Sequence, residues 1–390
     1  MFIALLTYKC QKTGNESMIS YFIPDMPTTE ALIPYLKEID NNRWYSNFGP
    51  LYHKLKQKLA DTCLKSIDSE RLTLVSSGTS AIELALRSLN LPQGAKVLTS
   101  SFTFPATVEA IINAGFTPVL CDIDKDNWFL TPEIAQRNLK LHNIAAVVPV
   151  AAFGMPVNSE AWADFHNNTG LPVVVDAAAA LMNQSIDGRI IYAFSLHATK
   201  PLGAGEGGLV VCPNKGQAEL IKKMSNFGFE AGRTIKRTGT NAKISEYHCA
   251  VGLAQLDRID IIKSKSSSIL NEYKSLFEQH NLDIKTQEGL STYVPASLYV
   301  LFKGDASSLF EQLLSQNIET RRLYWPLIQG FPAFKNNTLS ASLNFKNAQA
   351  ISSQGLALPF HNHLTNKDIK TTVNAVAHAL SLNKKQRLNA

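Results

Sequence analysis

The chain has 390 residues, 45% hydrophobic and 18% charged. That balance is the profile of an ordinary globular protein and leaves room for one large domain and a smaller one. Its formal charge of +6 is spread along the sequence and forms no basic run, so a nucleic-acid partner is not expected, while weak attraction for phosphorylated small molecules and plain solvated helix faces are both compatible with it.

At the N-terminus, MFIALLTYKC is too short to cross a membrane and lacks the charged start and small-residue cleavage site of an export signal. Fold-like sequence begins at Met18, in MISYFIPDMP, and residues 1–17 read as an extension, disordered or outside the translated protein. Five cysteines, Cys10, Cys63, Cys121, Cys212 and Cys249, form no CxxC pair, as reduced thiols of a cytoplasmic protein would not.

From about residue 70 to 212, short Val/Ile/Leu runs alternate with amphipathic stretches, the pattern of βα units around a mostly parallel sheet. The strands expected are AKVLTS, TPVLCDI, AAVVPVA, LPVVVDA, IIYAFSLH and GGLVVC. None alternates strictly with polar residues, so helices are expected on both faces.

Three segments of this region carry chemistry. In SSGTSAIELALRSL, at 76–89, Gly78, Thr79 and Ser80 fall at the start of a helix, where free N–H groups and the helix dipole suit a phosphate; Ser and Thr there serve equally well as ordinary N-caps. In LPVVVDAAAA, Asp176 arrives at the C-terminal end of an apolar strand, the edge where open α/β sheets bind ligands. It reads either as the cap of the next helix or as an acid that keeps a pyridinium nitrogen protonated. In FSLHATKPLGAGEGGLVV, Lys200 stands between a strand and a Gly-rich turn, poorly placed for a solvated helix face. A lysine whose pKa burial lowers becomes a nucleophile that forms an imine with pyridoxal phosphate (PLP). A phosphate cup, an acid and a lysine, in that order on successive βα loops, make the set that PLP needs.

Further on, one long helical pattern runs from about Lys243 through Ala250, Leu256 and Ile262 towards Tyr273. The domain boundary is placed near 255, giving a large domain at 18–255 and a small C-terminal α+β domain at 256–390, with strands near 293–303 and 318–325 and a closing helix from about Asn366 to Ser381. His361 and His363 resemble a metal pair, but no Cys or carboxylate cluster accompanies them, and no metal is expected.

From about Tyr21 to Leu380 the chain resembles the DegT-type sugar aminotransferases, a branch of the fold-type I PLP enzymes. The likeness lies in NRWYSNFGPLYHKLKQKLA, GAKVLTSSFTFPATVEAIINAGFTPVLCDID, GTNAKISEYHCAVGLAQLDRID, IETRRLYWPL and LALPFHNHLT. The resemblance implies that Gly78, Thr79, Ser80 and Ser195 bind the PLP phosphate, that Phe104 stacks on the ring, that Asp176 pairs with its nitrogen and that Lys200 holds it as a Schiff base. It also implies that Asn241 reaches the cofactor of a neighbouring subunit, hence a homodimer with shared sites. Two positions depart from the family: Ala151 stands where His is usual, and Ala179 where Gln or His is usual, both expected near the ring oxygen.

The function these readings imply is transfer of an amino group, from glutamate as donor, to a nucleotide-linked keto-sugar in the cytoplasm. Lys243, Arg321 and Arg322 are candidate contacts for the sugar nucleotide's phosphates. A different PLP reaction on an amino sugar or amino acid is the alternative within enzymes. A non-catalytic sugar-binding or regulatory protein is the alternative outside them, and it would have no need of both Lys200 and Asp176.

Overall fold

Strand residues alternate between two faces, and here both faces are apolar. Val97, Val174, Ala193 and Val210 enter one buried cluster, while their neighbours Leu98, Val175, Phe194 and Val211 enter another. A sheet so loaded must be covered on both sides. The computed structural model, which describes residues 18–65, 67–230, 234–342 and 344–388, has that arrangement. The extension expected at 1–17 lies outside the described residues.

The strands are β1 (Leu72–Val75), β2 (Lys96–Ser100), β3 (Thr117–Cys121), β4 (Ile144–Val148), β5 (Val174–Asp176), β6 (Ile191–Ser195) and β7 (Gly208–Val211). They run in the order β1-β7-β6-β5, and β4-β2-β3 continues the same surface through the parallel bridges Val147 to Val173 and Val150 to Asp176. β7 is antiparallel to both β1 and β6, and the other pairings are parallel. The four-residue β1 was not among the strands expected from sequence.

In chain order the helices are α1 (Thr29–Asn42), α2 (Pro50–Thr62), α3 (Gly78–Arg87), α4 (Pro105–Asn113), α5 (Pro132–His142), α6 (Ser159–Thr169) and α7 (Lys215–Ser225). Ile82 and Ala85 of α3, Ile111 of α4 and Ile221 of α7 fill the first cluster, whereas Leu55 and Leu59 of α2 fill the second.

The single long helix expected from Lys243 is two helices, α8 (Glu246–Leu256) and α9 (Ile259–Gln279). The break has side-chain causes. The Asp257 carboxylate is held by Tyr35 and Lys58, and the Arg258 guanidinium reaches Asp25 at 2.7 Å, so both residues at the junction are drawn towards the N-terminal segment.

Beyond α9, β8 (Ile284–Thr286), β9 (Tyr299–Phe302) and α10 (Ser307–Ser315) follow, then β10 (Leu339–Ser340), α11 (Lys346–Gln354), β11 (Gly355–Ala357) and α12 (Asn366–Leu388). A small antiparallel sheet has the order β11-β9-β8. The strand expected at 318–325 is replaced by isolated bridges, Ile19 to Ile318 and Arg321 to Ala357, and the span is bounded by left-handed residues, Asn317 at φ +57° and Tyr324 at φ +56°. The C-terminal part also reaches back to the large sheet, where β10 pairs in parallel with β3. His361 and His363 direct their Nε2 atoms at the Ser20 and Pro24 carbonyls, 3.1 and 3.3 Å away, tying down the segment before α1.

Candidate active site

The site forms at the C-terminal edge of the sheet, where β5 ends in Asp176 and β6 in Ser195. Asp176 is 5% exposed. It survives burial by accepting two hydrogen bonds, from Thr107 Oγ1 at 2.6 Å and from the Ala178 N–H at 3.1 Å. Thr107 is in turn hydrogen-bonded to Thr103 at 2.7 Å. Burial pushes the Asp176 pKa up, while both donors and the charge of Lys200 pull it down.

Lys200 follows β6 in a tight turn closed by its own N–H on the His197 carbonyl at 2.8 Å. Burial pushes its pKa below the ordinary lysine value, and Asp176 opposes the shift. Among the described residues no hydrogen bond or ion pair engages its Nζ. A desolvated amine beside a buried carboxylate, with no direct bond between them, leaves room for a third group that engages both.

The helix start expected at Gly78 is α3, capped by Ser77, whose Oγ accepts from the Ser80 N–H at 3.0 Å. The N–H groups of Gly78 and Thr79 have no backbone acceptor among the described residues. A Cβ on Gly78 would stand 2.7 Å from the Ser195 Cβ, so the missing side chain is what lets the helix N-terminus meet β6. Gly208 has the same reason: its Cβ would stand 2.1 Å from the Ser77 carbonyl oxygen. The result is a cup of N–H groups and the hydroxyls of Ser80 and Ser195, the donor set that suits a dianionic phosphate. With a ring-nitrogen partner and a lysine on the same edge, the residues present fit PLP.

Phe104 caps the start of α4 and is 62% exposed at this edge, an apolar ring left without a cover by the chain itself. Among the described residues, Asn241 makes no hydrogen bond with Gly78, Thr79, Ser80, Asp176, Ser195 or Lys200. It is exposed, with its Oδ1 accepting from Lys243 Nζ at 2.6 Å. Arg321 and Arg322 are engaged internally, Arg321 with Glu319 at 2.5 Å and Arg322 with Ser307 Oγ at 2.6 Å. His197 Nδ1 lies 2.8 Å from Thr199 Oγ1.

Sequence reading missed Thr107, Ser77 and Tyr324. Thr107 had one available signal, its place in the first turn of the helix that Phe104 caps. Tyr324 had none, because its ring reaches the site from the C-terminal part and packs on Phe102 and Phe153.

Residues 27–377 match the profile of the DegT/DnrJ/EryC1/StrS aminotransferase family. The chain is 30% identical over 363 residues to a dTDP-4-amino-4,6-dideoxy-D-glucose transaminase of Shigella dysenteriae, covering 90% of this chain and 96% of that one. Among solved structures it is similar to a protein of Bacillus cereus described as a PLP-dependent aminotransferase, with 28% identity, a TM-score of 0.85 and coverage of 92% and 100%. DesV of S. venezuelae, solved with a ketimine intermediate, is 25% identical with a TM-score of 0.81, over 90% of this chain and 94% of that one.

Proposed function

The chain belongs to the DegT/DnrJ/EryC1/StrS aminotransferase family, and from that membership we propose that it is a PLP-dependent transaminase that aminates a nucleotide-linked keto-sugar, with Lys200 and Asp176 as its catalytic pair. The observation that carries this reading is the desolvated Lys200 amine, engaged by no hydrogen bond or ion pair among the described residues, on the same sheet edge as the buried Asp176 carboxylate. The first relative named above acts on a dTDP-linked amino sugar, which supports a sugar nucleotide as the acceptor here.

When bound, PLP supplies a carbonyl carbon that carries the amino group and a ring that accepts electrons. The protein's part follows from its residues. Gly78, Thr79, Ser80 and Ser195 anchor the phosphate and fix the ring's position. Asp176, oriented by Thr107 and Ala178, holds a proton on the ring nitrogen. Lys200 would be the tether, and its freed amine, made less basic by burial, would carry the proton from the amino donor's α-carbon to the cofactor's former carbonyl carbon on the far side of the shared nitrogen. Phe104 covers one ring face and keeps water from it. Glutamate is proposed as the donor and the cytoplasm as the place of action.

We further propose a homodimer in which Asn241 completes the neighbouring subunit's phosphate site. The support is a set of exposed aromatic side chains: Phe227, over whose ring Lys243 lies, and Phe229 beside it, with Trp44 and the Tyr45–Tyr247 pair, are 41–49% exposed. Apolar patches of this kind mark protein interfaces.

The test is an absorbance spectrum of PLP-loaded wild type and Lys200→Ala, before and after glutamate, with borohydride trapping and mass mapping. A visible band trapped at Lys200 and bleached by glutamate is the expected result. A wild type with no band would overturn the cofactor assignment, and a band that glutamate leaves unchanged would overturn the donor.

A further inference from the structure

PLP carries its ring oxygen and its phosphate arm on the two carbons that flank the aldehyde-bearing carbon, which lies opposite the nitrogen, so the group that binds this oxygen and the groups that bind the phosphate must lie on opposite sides of the nitrogen's partner. Here the order β6-β5, continued by β4, sets Ser195 on one side of Asp176 and the β4 end with Ala151 on the other. On that side the described β4 end, Val148 to Ala151, carries no polar side chain. Ala151 is a buried methyl whose N–H donates to the Asp176 carbonyl at 2.9 Å. Beside it the Phe153–Gly154 turn closes on Ala179, whose carbonyl oxygen is 2.8 Å from where a Cβ on Gly154 would stand.

Tyr324 comes to this place from the C-terminal part. Its ring is stacked 5.0 Å from Phe153 at 16°, and meets Phe102 edge-on at 4.9 Å and 89°. Its backbone is held at φ +56° and its carbonyl accepts from Ser352 Oγ at 2.7 Å, so the packing fixes a conformation that tyrosine seldom adopts. The hydroxyl meets the Phe153 backbone and feels the Asp176 charge; together with burial, which is the larger effect, that charge raises its pKa and keeps the phenol protonated as a donor.

We propose that Tyr324 is a positioning residue that donates its phenolic hydrogen to the ring oxygen of PLP, from the side where Ala151 and Ala179 leave no donor. The assignment rests on the PLP reading of the site. A donor there favours the oxygen's anion and loosens its hold on the proton of the neighbouring Lys200 nitrogen. That nitrogen then deprotonates at a lower pH than it otherwise would.

The experiment is a pH titration of the visible band in PLP-loaded wild type, Tyr324→Phe and Tyr299→Phe. Tyr324→Phe keeps the stack and loses only the hydroxyl. Its midpoint is expected to rise by about one pH unit, the size of one net hydrogen bond. Tyr299→Phe removes a hydroxyl that faces the Leu323 and Ile351 carbonyls, each at 3.4 Å, and should leave the midpoint in place. A second arm puts 3-fluorotyrosine at 324, where the more acidic phenol should move the midpoint down without disturbing the packing. Unchanged midpoints in both Tyr324 variants would overturn the proposal while leaving the cofactor reading intact. A wild type that shows no band trapped at Lys200 would overturn both.

Discussion

Thr107 donates its hydroxyl hydrogen to Asp176 across 2.6 Å, from the first turn of the helix that Phe104 caps. One short helix therefore delivers both the side chain proposed to stack on the ring and the support for the carboxylate. Replacing Thr107 by Val keeps the shape and removes the donor, leaving a buried carboxylate with a single hydrogen bond. PLP dissociation is expected to rise about tenfold, the loss of one hydrogen bond to a charged group. The sign of the pH effect follows from the raised pKa of Asp176. Activity needs the carboxylate and fades as pH falls through that pKa; Thr107→Val raises the pKa further, so the acid limb of kcat/KM should move to higher pH. Thr107→Ser should restore it.

The contact between Gly78 and Ser195 yields a sharper test, because it is steric. Gly78→Ala puts a Cβ 2.7 Å from the Ser195 Cβ, and the start of α3 must swing away from β6. PLP affinity is expected to drop by about tenfold or more as the N–H groups lose their aim. Ser195→Gly removes the nearest obstacle along with one hydroxyl, leaving the residue 195 Cα 3.2 Å from the added Cβ. The double variant should therefore lose much less PLP affinity relative to Ser195→Gly than Gly78→Ala loses relative to wild type, a non-additivity that equilibrium titration would read. Additive losses would mean that the two residues act independently.

The site residues that sequence exposes are those whose role is local. Gly78 to Ser80 announce themselves by standing before an amphipathic helix, Asp176 by ending an apolar strand, and Lys200 by interrupting a Gly-rich turn. The residues that sequence hides act at a distance. Thr107 is 69 positions from Asp176, and the backbone N–H groups of Leu51 and Tyr52 are capped by Glu246 from α8, at 2.7 and 2.9 Å. The break between α8 and α9 was hidden for the same reason: apolar spacing runs through it, and only Tyr35, Lys58 and Asp25 from elsewhere show why the helix stops. β1 is four residues long, too short to stand out from its surroundings.

His361 gives a prediction about stability. Its Nε2 points at the Ser20 carbonyl and its Nδ1 accepts from the His363 N–H at 3.3 Å, a pattern that requires the neutral ring. Burial, aided by the neighbouring His363, lowers its pKa from 6.5 to about 4, while the Ser20 carbonyl and Asp368 oppose the shift. The unfolded chain thus takes up a proton between those values and the folded chain does not, so stability is complete above pH 6.5 and is lost as pH falls towards about 4. In His361→Gln the Tm should decline less steeply over this window in thermal melts followed by circular dichroism. Equal slopes would place the acid sensitivity elsewhere.

The proposed sharing of sites between subunits can be decided by mixing two inactive proteins. Lys200→Ala lacks the tether, and Asn241→Asp sets a negative charge against the phosphate it is proposed to reach. If Asn241 serves the neighbouring subunit, a hybrid dimer has one site with both defects and one with neither, because the intact lysine of one chain meets the intact asparagine of the other. Random reassociation makes about half the dimers hybrids, each with one working site of two, so about a quarter of wild-type activity should return on mixing. If Asn241 serves its own subunit, every site in the hybrid carries one lesion and mixing restores nothing. The exposed position of Asn241, whose side chain is bonded among the described residues to Lys243 alone, is what the first outcome would explain.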